Sequence, residues 1–386
     1  MTKKFNLTRA ILILVFVIIW GMLLYAFNVN KQVYISDSAT VGDKYEKAEV
    51  INVISEDITN NEQLGNIKFG SQNLEIKILT GQHKGEIKTV QNFLSETHNV
   101  YATSGTKIIV NIQTANADNY EINVYNYYRA PIQYAFIIIF FVALSIIGGK
   151  KGFKSVLGLL FTFINIIFIF IPMLYQGYSP IYATFLITVL VTCASLILLD
   201  GISPKTLSAI LGTICGTVLA ALIAMLVGDF AHLNGYNTSD VDALIMISKH
   251  SSLKIKNLLL SGVIIASLGA VMDLSMSIAS AVQEIYISNR NVSFKDLFNS
   301  GMNVGKDMMG TMANTLILAF TGSSLSMIIL IYSYNVSFNQ LINMDMVNIE
   351  ILQGLTGSLA IILTVPIIAI ISSFIIPKML KKSPVT

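Results

Sequence analysis

Eight separate runs of apolar residues, each long enough to cross a bilayer as a helix, dominate this chain: 9–27, 131–148, 153–174, 180–199, 205–228, 258–281, 310–332 and 352–376. A hydrocarbon core of about 30 Å takes about 20 helical residues, and lipid offers backbone amides no partner outside the segment. Composition agrees, with 54% apolar and 12% charged residues. The charges are unevenly spread: residues 30–129 carry 21 of the 47, and the other 286 positions share 26. A segment of soluble character is thus set into a chain too apolar for water. A net charge of +3 supplies no basic surface, so nucleic acid is excluded as a partner, as are a cytosolic globule and a disordered chain. The expected fold is a polytopic α-helical membrane protein of about eight spans, with the bilayer as its first partner. The expected domains are a cytoplasmic N-terminus and anchor helix (1–29), an extracytoplasmic β-rich domain (30–129) and a seven-span membrane domain (130–386).

Basic residues beside the spans set the expected orientation. Lys3, Lys4 and Arg9 precede the first run, whose 18 residues from Ala10 to Phe27 exceed a signal-peptide core and lack a clean cleavage site, so it reads as an uncleaved anchor. With the N-terminus inside, thirteen basic residues near the spans fall on the cytoplasmic side, and only Lys249, Lys254 and Lys256 fall opposite, outside the soluble domain. Both termini are therefore expected in the cytoplasm. Asp240 to Ser248 reads as an interfacial or re-entrant helix with Ser239 as its N-cap. Cys193 and Cys215 lie in apolar runs, so no disulfide framework holds the soluble domain.

That domain reads as strands. LEIKIL (74–79), KIIVNI (107–112) and YEINVY (120–125) alternate or run β-branched, with GQHKGE (81–86) and SGTK (104–107) as tight turns between them. Five or six short strands imply a small barrel or sandwich, an OB-like barrel among them. Tyr125, Tyr127, Tyr128, Arg129 and Tyr134 mark the entry to the second span as interfacial anchors.

A charge in the bilayer interior costs about 2.5–3.5 kcal/mol, so Asp273 in the sixth span calls for a reason. At 100° per residue, Gly262, Ala266, Gly269, Asp273, Ser277, Ser280 and Glu284 share an arc of about 80°. On the next helix Asn303, Asp307, Gly310, Asn314 and Thr321 share about 60°, with Lys306 beside them. Facing seams would form a hydrated route or a dry hydrogen-bonded joint. In the route, Asp273 is the coupling or binding carboxylate able to carry a proton, Ser277 and Asn314 supply further ligands, Glu284 and Asp307 line the cytoplasmic mouth, and Ser280 and Asn303 lie along the same pathway. Asn165, Thr364 and Pro366 stand isolated and read as packing residues.

Enzyme signatures fail. SGMNVGKD (300–307) lacks both the spacing and the Ser or Thr of a phosphate loop. No HExxH occurs, and His83, His98, His232 and His250 have no metal-ligand spacing. A cation site from His232, Asp229, Asp240 and Asp242 reads more simply as solvated loop. Asp273 with Asp307 lacks the Gly-x-Gly-Asp setting of an intramembrane protease. No catalytic residue, metal or cofactor is expected.

LGAVMDLSMSIASAVQEI (268–285), SGMNVGKDMMGTMANTLILAFTGSSL (300–325), SPKTLSAILGT (203–213) and GSLAIILTVPIIAI (357–370) resemble the signature segments of the YibE/F-like family of bacterial membrane proteins. The resemblance covers about 130–376. It implies a multi-pass membrane protein, no reaction, and a pair of glutamates where this chain has Asp240 and Asp242. Two functions follow as expectations. One is a permease of a small solute or ion with its route between spans six and seven. The other is a non-transporting scaffold or accessory subunit, whose partner is an envelope protein or a second copy of the chain.

Overall fold

The computed structural model describes residues 2–29, 44–61, 65, 67–116, 119–238 and 240–381. The chain divides into two compact units, Ile35–Ala143 on one side and Met1–Tyr34 with Leu144–Thr386 on the other.

The first unit holds five antiparallel strands: β1 (Lys44–Asn61), β2 (Ile67–Ile78), β3 (Ile87–Leu94), β4 (Lys107–Asn116) and β5 (Asn119–Tyr127). Their order across the sheet is β3-β2-β1-β4-β5. The three quoted strand motifs fall in β2, β4 and β5. Alternation in β2 buries Leu74, Ile76 and Ile78 on one face, where they meet Ala48, Val50, Val90, Ile108, Val110, Ile112 and Val124. β1 is long enough to pair with β4 through Lys44–Glu49 and with β2 from Ala48 onward, and bulges at Val50/Asn52 and Val53/Ser55 bend it between the two. The expected turns hold: Gly81, Gly85 and Gly105 all take positive φ.

The segment between β3 and β4 is irregular and yet partly buried, so its backbone groups need partners. Gln72 supplies two. Its Nε2 donates to Ala102 O and its Oε1 accepts from Ala102 N, each at 3.0 Å. Asn92 Nδ2 donates to Val100 O at 2.7 Å. Two buried amides thereby stand in for a missing strand neighbour.

The helical unit contains α1 (Thr2–Asn28), most of α2 (Ala130–Asn165), α3 (Ile171–Tyr175), α4 (Pro180–Asp200), α5 (Pro204–Phe230), α6 (Val241–Lys249), α7 (Leu258–Ser288), α8 (Phe294–Ser323), α9 (Leu325–Ser333), α10 (Phe338–Leu341) and α11 (Asp345–Lys381). Among the described residues, five helices are long and apolar enough to cross a membrane, and six if α8 and α9, bent by 62°, count as one broken span. Eight runs give fewer helices for two reasons. The first run falls in α1, of whose apolar length Leu14–Asn28 is described, and the second and third runs fall in one helical stretch, Ala130–Tyr175. That stretch is broken at Gly149, whose φ of 55° and ψ of −135° are not helical. In a straight helix Leu144 and Gly152 would lie about 12 Å apart. Instead a Cβ on Gly152 would sit 2.0 Å from the Leu144 carbonyl oxygen. The chain therefore turns back on itself within this short segment, and Gly152 permits the close approach.

α5, α7, α8 and α11 share the main core, built from Ile210, Ala220, Val271, Leu274, Ile278, Val282, Ile361, Val365 and Ile368. A second cluster joins Phe27, Ile169, Phe170, Met173, Ile187, Val191 and Leu268. Here Trp20 Nε1 donates to Asn165 Oδ1 at 3.1 Å, and Asn28 Nδ2 donates to Phe168 O at 2.7 Å within a π-helical stretch, Ile166–Phe170. Asn165 is a packing residue, and so is Thr364, whose hydroxyl bonds Ala360 O at 2.6 Å beside Gly216. α6 has nine residues, about 13.5 Å, too short to cross. Its N-cap position is Asp240, which makes no side-chain cap bond; Ser239 lies outside the described residues.

Candidate functional site

The two polar seams are real, but each turns outward from the bundle. On α7 the buried side is Leu260, Val263, Ile264, Val271, Leu274, Ile278 and Val282, and the exposed side carries Gly262, Ala266, Gly269, Asp273 and Glu284. Ser277 and Ser280 are half-buried at its edges. On α8, Asn303, Asp307, Gly310, Asn314 and Thr321 are all exposed, together with Lys306. Among the described residues Asp273, Asn303, Asp307 and Asn314 form no hydrogen bond or ion pair to another side chain. The expectation that the seams face each other within one chain is therefore corrected. α8 meets the bundle through another face: Gly301 lies against Val282 and Ala369, and Gly305 against Val365 and Ile278. The cause is steric. Two glycines let backbone and branched side chains come within contact, which Asn and Asp on the opposite face could not do.

A second feature lies at the α8–α9 junction. The sequence Thr321-Gly322-Ser323-Ser324 places a glycine among three hydroxyls. Thr321 Oγ1 donates to Ile317 O at 2.9 Å and Ser323 Oγ to Phe320 O at 2.7 Å, competing with the amides that would continue the helix. The helix breaks at Ser324 and turns by 62° into α9. The seventh apolar run is thus one sequence stretch but two helices.

Beside this break is a cavity of about 570 Å³, lined by Phe320, Thr321, Ser324, Met327, Glu350 and Gly354 among others. Its wall is almost wholly apolar. Glu350 is its one charged lining residue, and the Oε2 atom of that carboxyl is shielded and has no hydrogen-bond partner among the described residues. Sequence reasoning did not single out Glu350. A signal was present: from 307 to 377 the chain has three acidic residues, Asp307, Asp345 and Glu350, and no Lys, Arg or His at all.

Among the described residues no three His, Cys, Asp or Glu side chains come together as a metal site, so His232, Asp229, Asp240 and Asp242 form no such group. On the β unit, Tyr120 donates to Glu86, His83 Nδ1 lies 3.0 Å from the same carboxylate, and the His83 and Tyr120 rings are 4.0 Å apart. They sit by an open cleft of about 380 Å³ between β3 and β5, lined by Lys88, Gln91, Phe93, Tyr120, Glu121 and Asn123.

No curated protein and no solved structure matches the chain. A model of the YibE/F-like protein family matches residues 136–378. That span is more than half of the sequence and includes both seams, the broken helix and the cavity, and so the chain belongs to the YibE/F-like family.

Proposed function

We propose that this membrane protein is a permease for a small solute or ion. The observation that carries the reading is the break between α8 and α9, which opens onto a cavity holding an unpaired carboxyl oxygen. Irregular backbone at membrane depth is tolerated where it lines a cavity, and discontinuous helices are how many transporters build their sites. The reading includes eight crossings, with both termini in the cytoplasm of a bacterial cell and residues 30–129 outside it. The reversal at Gly149 supports counting two crossings in Ala130–Tyr175, and the thirteen-to-three distribution of basic residues supports the orientation. The strand order, with β3 and β5 at opposite ends of the sheet yet flanking one cleft, supports an OB-like barrel for the β unit. The protein acts without catalysis in this reading. Asp273, midway along α7, is its proton-carrying group, with Ser277, Ser280, Glu284, Asn303, Asp307 and Asn314 along the same outward seams.

One observation favours the scaffold reading: small and polar residues on an outward helix face are also what a partner helix packs on. Reconstitution separates the two. Purified protein in liposomes with an entrapped pH dye is expected to carry protons or a co-moved monovalent cation above empty vesicles, and Asp273→Asn, still inserted, is expected to stop it. No flux above empty vesicles, with partner capture lost on deletion of 30–129, would favour the scaffold. Undiminished flux in Asp273→Asn removes that residue from the mechanism.

A further inference from the structure

We infer that the cavity beside the α8–α9 break binds a hydrophobic organic cation, with Glu350 as its counter-charge. A carboxyl oxygen sealed from solvent without a hydrogen bond is costly, and such groups are found paired. The chain has no positive group of its own to offer nearby in sequence, since no basic residue occurs between Lys306 and Lys378. In space, too, no Lys, Arg or His pairs with Glu350 among the described residues, which leaves its counter-charge to a ligand. A bare divalent cation fits poorly, because Ca²⁺ or Mg²⁺ takes about six or more oxygen ligands. The wall offers the Glu350 carboxyl, the Ser324 hydroxyl and a Thr321 hydroxyl already bonded to Ile317 O. The rest is Ile, Leu, Met, Val, Phe and Gly354. A ligand that brings its own apolar surface and a single positive charge matches both properties, and Phe320 adds an aromatic ring to the wall that can favour a cation. The volume of about 570 Å³ falls in the range of small-molecule sites. Space is also present at Gly354, where an added Cβ would meet nothing within 4 Å although the residue itself is buried.

This inference deepens the permease reading by naming a ligand class, and it is tested by binding rather than by flux, so the two can fail separately. The probe is radiolabelled tetraphenylphosphonium, with its isosteric anion tetraphenylborate, on the purified full-length protein in maltoside micelles. Saturable phosphonium binding is expected, with Glu350→Gln weakening it by about tenfold or more, a loss of about 1.4 kcal/mol. Gly354→Leu, which fills the cavity and leaves the charge, is expected to weaken it as well. It keeps the test open if the Gln variant misfolds. Phosphonium binding unchanged in both variants, or saturable binding of tetraphenylborate, measured in a separate sample, as tight as that of the phosphonium, overturns the site. Competition by a short-chain phosphatidylcholine would assign the cation to a lipid headgroup, and its failure to compete would assign it to a soluble amine. Binding intact with no flux in vesicles would sink the permease reading alone.

Discussion

Which face of α8 looks inward decides where any route can lie, and two glycines on that helix test it. Gly305 and Gly310 are five residues apart, so they point about 140° apart round the helix. A methyl on Gly305 would lie 2.3 Å from Val365 Cγ1 and 3.0 Å from Ile278 Cδ1. Val365 is 1% and Ile278 0% exposed, so neither has room to withdraw. A methyl on Gly310 would meet nothing within 4 Å. Both Gly→Ala changes gain the same helix propensity, about 0.8–1.0 kcal/mol, which cancels when the variants are compared. What remains is the overpacking cost, typically 1–3 kcal/mol, borne by Gly305→Ala alone. Gly310→Ala should therefore be more stable than Gly305→Ala by about that amount, and more stable than the parent by up to about 1 kcal/mol. Reversible unfolding in mixed micelles of rising SDS fraction, followed by circular dichroism, measures both. The reverse order would mean that the Asn303–Asn314 seam faces the bundle and the Gly301–Gly305 face does not, which refutes the geometry above.

Two further outcomes concern the β unit. Gln72→Leu leaves the Ala102 N–H and C=O without their buried partner, and at about 1–3 kcal/mol for each orphaned group it should cost about 2–6 kcal/mol. Hydrogen exchange across 95–106 should rise sharply, and unchanged protection there would show that Gln72 does not hold the segment. The Tyr120 phenol is pushed up to about 12 by loss of hydration and by its bond to the Glu86 carboxylate. A value above the ordinary 10.0 means that the neutral phenol's contribution to stability is complete below pH 10 and is lost as pH climbs toward 12. The wild-type minus Tyr120→Phe difference in absorbance at 295 nm should titrate near pH 12, and a midpoint near 10 would discard the Tyr120–Glu86 bond.

The parts of this fold that were legible in sequence are those governed by water. Alternation in β2 and β4 separates a wet face from a dry one, and the turn glycines 81, 85 and 105 announce positive φ, so strands and turns could be placed directly. Apolar runs likewise gave the helices their rough bounds. Inside a bilayer the same logic loses its sign. Lipid tails are as apolar as leucine, so no hydrophobic gain tells an aliphatic helix face which way to turn. The α7 wheel showed two sides correctly, yet nothing in it could say that Val263, Val271 and Ile278 go in and Asp273 goes out. Close contact decided that, through Gly301 and Gly305 on α8 and Gly212 and Gly216 on α5, where Ile368 and Thr364 come too near for any side chain. Glu350 stayed hidden for a different reason. It lies between the apolar runs 310–332 and 352–376, where a charged side chain reads as solvated. Only the missing counter-charges over residues 307–377 mark it as unpaired.

A carboxyl group at the midpoint of α7 that met only lipid would cost about 2.5–3.5 kcal/mol as an ion. Small residues at 262, 266 and 269 leave a shallow lane beside it rather than a wall of aliphatic side chains. Both properties suit a surface that in the membrane meets water or another helix, and neither suits bare hydrocarbon. Among the described residues no side chain hydrogen-bonds or pairs with Asp273 along this lane, and either a thread of solvent or the helix of a second copy would match its polarity.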